Sequence, residues 1–259
     1  MSSGSLRALL FDVDGTLADT ERDGHRVAFN QAFRDAGLDW DWDAALYGKL
    51  LSVTGGKERI RFYLENFNRD FVAPADLDGF IAGLHQAKTD HYTNLLSEGR
   101  IPLRPGVERL LREARKAGLR LAIATTTTPA NVEALLVHTT GAESLGWFEV
   151  IAAGDIVPAK KPAPDIYLYA LQQMDLEPTS CLAFEDSING IRASRGANLK
   201  TIITINDYTR EDDFSDAALV LDTFGEPGAP CHVLAGDAKA LNGNAYLDVA
   251  ALQRVHQDA

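Results

Sequence analysis

The feature that most constrains this chain is an apolar run that stops on two carboxylates. Leu6-Arg7-Ala8-Leu9-Leu10-Phe11 leads straight into Asp12-Val13-Asp14-Gly15-Thr16. A short run of consecutive apolar residues predicts a buried parallel strand. Gly15 lets the backbone bend close to whatever sits at the strand end. The spacing of two carries Asp12 and Asp14 beyond that end, with Val13 between them turned away.

The next stretch has a different rhythm. Residues from about 21 to 98 are helix-periodic, and Gly37, Gly55-Gly56 and Pro74 punctuate them. Helices are expected at about 22–36, 41–51, 56–68 and 75–97. After Pro105-Gly106 the pattern changes again. It predicts helices near 106–117, from Pro129, and at 164–174 and 187–196. Strands are predicted at 120–124, 149–152, 181–184 and 200–205. Alternation of this kind means βαβ units, a parallel sheet and helices on both faces. The expected organisation is an α/β core over 1–20 and 99–259, with a helical insertion over 21–98. The crossings near 17–20 and 98–104 read as hinges. The tail after Asn206 is less regular, with a last strand expected at 218–221 and a helix at 247–255 capped near Asp248.

Composition narrows the partners. The formal net charge is −12, which disfavours DNA or RNA on the global field, although a basic pocket can still hold a small anion. Hydrophobic residues make up 46% of the chain, enough for a sizeable core, yet no apolar run approaches the ~18 residues of a membrane span. The cysteines, Cys181 and Cys231, fit neither a disulfide framework nor a zinc pattern. Met1-Ser2-Ser3-Gly4-Ser5 carries no signal or transit pattern. A cytoplasmic protein is expected. Oligomeric state is not legible.

In open α/β sheets ligands bind at the carboxyl ends of the strands. Four polar clusters fall at such ends: Asp12 with Asp14, then Thr125, then Lys160-Lys161, then Glu185-Asp186. Two ionised carboxylates about 4 Å apart repel by ~4 kcal/mol at an effective dielectric near 20. Asp12, Glu185 and Asp186 together therefore need a cation, or one of them must take up a proton. Oxygen ligands without His or Cys select a hard ion, and Mg2+ is the one that binds alongside a phosphate. A metal, an ammonium and a hydroxyl around one point make a phosphoryl clamp. Of two such carboxylates one can serve as nucleophile and the other as proton donor and acceptor.

The whole pattern resembles the haloacid dehalogenase superfamily of phosphohydrolases. Asp12-Val13-Asp14-Gly15-Thr16-Leu17 looks like its first motif, Thr125 its second, Lys161-Pro162 its third and Glu185-Asp186-Ser187 its fourth. The resemblance, which runs from about Leu6 to Ile205, implies a Rossmann-like core with an inserted helical cap at 21–98. It implies Asp12 as nucleophile, Asp14 as acid/base, Thr125 on the phosphoryl oxygens with Thr126 beside it, and Lys161 balancing charge. It implies Mg2+ held by Asp12, Glu185, Asp186 and the main-chain carbonyl of Asp14. Within the superfamily the chain looks most like the beta-phosphoglucomutase-like subgroup, and there the CbbY-type sugar phosphatases. That implies xylulose 1,5-bisphosphate as substrate and removal of a Rubisco inhibitor in the Calvin cycle.

Outside the motifs, Gly55-Gly56-Lys57 places a base at a helix start, which is a good anion site, with Arg61 one turn on. The alternative is surface pairing with Glu58 and Glu65. Glu21 and His25 follow the first hinge, where the subgroup contacts substrate, but His25 aligns only if one residue is inserted before it. Arg192 lies one turn past Glu185-Asp186 and suits a distal phosphate. His85, His91, His138, His232 and His256 read as ordinary, Cys181 as a buried small hydrophobe, and Trp40 with Trp42 as core of the insertion. Two rivals stand beside the phosphatase. One is a sugar-phosphate mutase on the same scaffold. The other is a phospho-accepting signalling receiver, which lacks a helical insertion after its first strand.

Overall fold

The structure, a computed structural model, describes residues 5–257. Most of the opening Met1–Ser5 segment lies outside the described residues. Strands β1 (Ala8–Phe11), β2 (Arg120–Ala124), β3 (Val150–Ala152), β4 (Cys181–Glu185), β5 (Lys200–Thr204), β6 (Leu219–Leu221) and β7 (Val233–Gly236) form one sheet in the order β3-β2-β1-β4-β5-β6-β7. The first six are parallel, and β7 pairs antiparallel with β6.

Alternation along the strands builds two cores. Leu9 and Phe11 face one side with Ile123, Leu182 and Phe184, against α5 (Val107–Lys116), α6 (Pro129–Thr140) and α9 (Val249–Gln257). Ala8 and Leu10 face the other side with Ala122, Ala124 and Ala183, against α7 (Asp165–Met174) and α8 (Ile188–Gly196). This is the Rossmann-like α/β arrangement. Strand β1 sits between β2 and β4, where the strand order reverses, so the residues after Phe11 emerge at the crevice that open sheets use for ligands.

The chain leaves the sheet after β1 and forms α1 (Arg26–Asp35), α2 (Ala44–Leu50), α3 (Gly56–Asn66) and α4 (Leu77–Ser97) before it returns. These helices have their own aromatic core. Trp42 is fully buried with Phe29 and Phe33 each at 4.8 Å between ring centroids, and Trp40 lies beside it, as expected from the sequence. Where the chain crosses out and back, the two linkers pair. Arg104 N–H donates to Leu17 O at 2.8 Å, and Ala18 bridges Leu103. The buried Arg104 guanidinium donates to the main-chain carbonyls of Gly15, of Ile205 at 2.6 Å and of Asp222 at 2.7 Å. One side chain thus ties the loop after β1 to the ends of β5 and β6.

Three local features go beyond the sequence reading. The helix expected over 22–36 opens with one π-turn, Glu21–His25, in which Arg26 N–H reaches Glu21 O. The helix start after β4 is capped by Ser187, whose Oγ accepts from Gly190 N–H at 3.1 Å, so capping does not occupy Glu185 or Asp186. Strand β7 was not anticipated. It is an edge strand with three of its four residues exposed, and so lacks the apolar alternation that marks a half-buried strand. Helix α9 is capped by Asp248, which accepts from Ala251 N–H at 2.7 Å. Among the described residues no helix is long and apolar enough to cross a membrane.

Arg104→Leu removes the guanidinium hydrogen bonds to the carbonyls of Gly15, Thr204, Ile205 and Asp222. It is expected to lower unfolding stability by about 3 kcal/mol or more. Urea denaturation checks this, and a loss below about 1 kcal/mol would show that the tie is dispensable.

Candidate active site

Parallel pairing sets Phe11 beside Phe184, so the next residues on each strand, Asp12 and Glu185, meet at the sheet edge. Asp186 follows. All three are buried, and their carboxylate oxygens lie within 4.8 Å of one another. Lys161 Nζ donates to Asp12 Oδ1 at 2.6 Å and to Glu185 Oε1 at 2.5 Å. Tyr167 OH donates to the same Glu185 oxygen at 2.6 Å. Burial, with Glu185 and Asp14 close by, pushes the Asp12 carboxyl up to about 7 despite Lys161. Burial beside Asp12 and Glu185 likewise raises Asp186. Burial alone would lower Lys161, but Asp12 and Glu185 raise it above its ordinary value.

One ammonium therefore stands among three buried carboxylates, a charge deficit that a hard divalent cation removes. The donors are all oxygen, as such an ion prefers. Glu185 Oε1 is already committed to Lys161 and Tyr167, whereas Asp186 Oδ2 accepts only from Asn206 Nδ2, at 2.7 Å, among its described contacts. Gly15 packs against this carboxylate. A Cβ there would sit 2.0 Å from Asp186 Oδ2, and the φ of +85° is one that a side chain rarely adopts. The residues present fit a metal.

Asp14 lives in a different field. Its Oδ1 accepts from Thr20 Oγ1 at 2.6 Å and pairs with His25 Nε2 at 2.8 Å. Lys88 Nζ lies 2.7 Å from His25 Nδ1. An ammonium can only donate, so Nδ1 accepts and Nε2 carries the hydrogen given to Asp14. Burial alone would raise Asp14, but His25 and Thr20 together hold it well below the usual carboxylate range. Burial lowers Lys88 to about 8. The π-turn supplies the extra residue that the alignment of His25 required, and a π-bulge is how a helix absorbs one inserted residue. Glu21, at the start of that turn, accepts from Tyr47 OH and lies 3.6 Å from the buried Arg59 guanidinium.

Two cavities meet over these groups, one of about 340 Å³ and one of about 500 Å³. They share Asp14, Glu21, Arg59 and Thr126. The smaller holds Asp12, Lys161, Glu185, Asp186 and Arg192. The larger is lined by the cations Lys57, Arg59, Lys88 and Lys160, by His25 and His85, and by the carboxylates Asp14, Glu21 and Asp155. Asp12 with Asp14, Lys161 and Glu185 with Asp186 line these cavities, whereas Thr125, expected beside them, lines neither. Thr125 is buried with its Oγ1 accepting from Thr127 N–H at 3.3 Å, and Thr126 is the residue that reaches both cavities. Lys57 pairs with Asp155 at 2.8 Å, not with Glu58, while Lys160 bonds Glu58 at 2.8 Å. Arg61 is an exposed partner of Asp78 and lines neither cavity. His85, read as ordinary, stands in the wall of the larger cavity, where burial and the lysines around it lower it to about 3. Arg59 and Lys88 were missed. Lys88 did leave a signal, since it shares the buried stripe of α4 with Ile81, Leu84 and Tyr92.

A divalent cation in hundredfold excess over its Kd is expected to stabilise the fold by about 2.7 kcal/mol. Asp186→Asn should abolish that gain without lowering metal-free stability. Thermal unfolding with and without the ion reads both, and a gain that survives the substitution would place the ion elsewhere.

Comparison with known proteins agrees with this geometry. The profile of the haloacid dehalogenase-like hydrolase family matches residues 6–198. The plasmid protein CbbY of Cupriavidus necator is 46% identical over 251 residues, 97% of each chain. The crystal structure of CbbY from Rhodobacter sphaeroides with phosphate has a TM-score of 0.79 at 49% identity and covers 86% of this chain and 96% of its own. A variant of that protein in complex with xylulose-(1,5)bisphosphate gives 0.80 at the same identity and coverage. This chain belongs to the haloacid dehalogenase-like hydrolases.

Proposed function

We propose that the chain is a Mg2+-dependent phosphatase of small phosphorylated sugars, with xylulose 1,5-bisphosphate as its substrate. One observation carries the chemistry: Asp12 and Asp14, two residues apart, sit in opposite fields. Environments that push two carboxyls apart in this way assign them different jobs. The bisphosphate rests on the likeness to the CbbY proteins, one of which is complexed with that sugar. The larger lobe beside the carboxylate lobe supports it, because a second phosphate has cations to meet there. In this reading 1–20 and 99–259 form the catalytic core, and 21–98 is a cap that excludes bulk water and reads the sugar. The protein works in the cytoplasm and clears a misfire product of Rubisco for the Calvin cycle.

Asp12, Asp186 and the main-chain carbonyl of Asp14 would hold the magnesium, with Glu185 completing the set. Bound there, the ion neutralises the carboxylates and polarises the phosphoryl oxygens. Asp12 Oδ attacks phosphorus, and the bond to the sugar oxygen breaks as the aspartyl-phosphate forms. Asp14 gives the departing alkoxide its proton. Although Asp14 is ionised in the free enzyme, an incoming phosphoryl anion beside it favours the protonated form. Once the sugar is free, the Asp14 carboxylate takes a proton from water, which attacks the phospho-Asp12 and releases phosphate. Lys161 balances charge on Asp12 throughout. Thr125 and Thr126 bind the phosphoryl oxygens from their side of the cleft. Glu21 and His25 meet the sugar, and Lys57 and Arg192 meet anionic groups beyond it.

Asp12→Asn should abolish turnover while circular dichroism shows the fold intact, and activity in that variant would refute the mechanism. A panel of sugar mono- and bisphosphates should show release of inorganic phosphate, fastest per kcat/KM from the pentulose bisphosphate. Isomer formation without phosphate release would point to a mutase.

A further inference from the structure

The π-turn contains a tight contact that the reaction does not by itself require. Gly24 lies against Tyr92 of α4 and against Ile101. A Cβ at position 24 would come within 2.6 Å of Ile101 Cδ1 and 2.9 Å of Tyr92 Cε2. Backbone conformation does not demand a glycine there, since Gly24 is not among the residues with positive φ. The requirement is steric. Ile101 Cδ1 is the end of a flexible chain and can swing aside. The Tyr92 ring cannot, because it is fully buried.

That ring touches the acid/base apparatus. It packs on the His25 imidazole with 4.1 Å between centroids, and Lys88 Nζ lies 5.1 Å from its centre. Tyr92 OH has no hydrogen-bond partner among the described residues, so the side chain serves as a rigid surface rather than as a donor. His25 in turn holds Asp14 at 2.8 Å. Each contact leads to the next, from Gly24 to Tyr92 to His25 to Asp14.

We propose that Gly24 is a positioning residue: its missing side chain lets Tyr92 pack on His25 in the place from which the imidazole aligns the Asp14 carboxyl. The inference rests on the reading of Asp14 as acid/base. A side chain at 24 drives the ring into His25 and shifts Asp14 by a few tenths of an ångström. Displacements approaching an ångström cost up to about 10²-fold in rate.

The test is steady-state hydrolysis of xylulose 1,5-bisphosphate with Mg2+ by the full chain. Gly24→Ala is expected to lower kcat about tenfold with KM changed less than twofold, and to move the His25 ring nitrogen resonances in 15N NMR. Tyr92→Leu should lower kcat too, and adding Gly24→Ala to it should cause no further loss, because the rigid surface is gone. Ile101→Val in the Gly24→Ala background should restore nothing. A folded Gly24→Ala enzyme with wild-type kcat overturns the proposal. So do unmoved His25 resonances, or losses that simply multiply in the double variant. If Gly24→Ala does not fold, Tyr92→Leu decides: wild-type kcat there overturns the chain of contacts. A wild-type enzyme that releases no phosphate, or an active Asp12→Asn, sinks the phosphatase reading instead.

Discussion

Three carboxylates buried around a single ammonium are the constraint on which the rest of this molecule turns. Asp12, Glu185 and Asp186 are brought together by strand register, and among the described residues Lys161 is the cation that hydrogen-bonds within the group. Breaking up such a group leaves uncompensated buried charge, while keeping it requires compensation from outside the chain. The surroundings are arranged around that requirement. Gly15 takes a left-handed φ so that the loop can pass against Asp186, and Arg104 fixes that loop to the far strands through main-chain carbonyls. Phe11 and Phe184, the residues just before Asp12 and Glu185 on paired strands, stack at 4.4 Å and hold the two strand ends side by side.

A second arrangement lies two residues further along the loop and has the opposite sign. Asp14 is surrounded by donors, namely Thr20, His25 and, behind it, Lys88. Thr20 lies at the crossing just before the π-turn, His25 in that turn and Lys88 on α4. The insertion supplies His25 and Lys88, so the field that keeps Asp14 ionised depends on the helices and sheet being packed together.

Much of this was legible in the residues. The apolar run into Asp12-Val13-Asp14-Gly15 announced a parallel strand and its site, because strand ends and glycine bends have few other uses in that combination. The helical block was legible by period, and Trp40 and Trp42 as its core by hydrophobicity. What escaped had weak local signal. Strand β7 is an exposed edge. Arg59 and His85 face the cavity only because α3 and α4 pack as they do, which a single helix period does not reveal. Lys57 was read as an anion contact, with helical neighbours as its alternative partners, yet it pairs with Asp155, 98 residues away. Lys88 was the missed opportunity, since a lysine on an apolar stripe is buried either as strain or with a task.

The central claim is that the carboxylate group needs a cation and otherwise holds a proton. Calorimetric titration of the metal-free protein with Mg2+, repeated in buffers of different ionisation enthalpy, measures both at once. The account predicts one ion bound per chain, with net proton release near pH 7 that shrinks as pH rises above the value near which Asp12 titrates. Binding without proton release near pH 7, or no binding in the presence of intact fold, would contradict it.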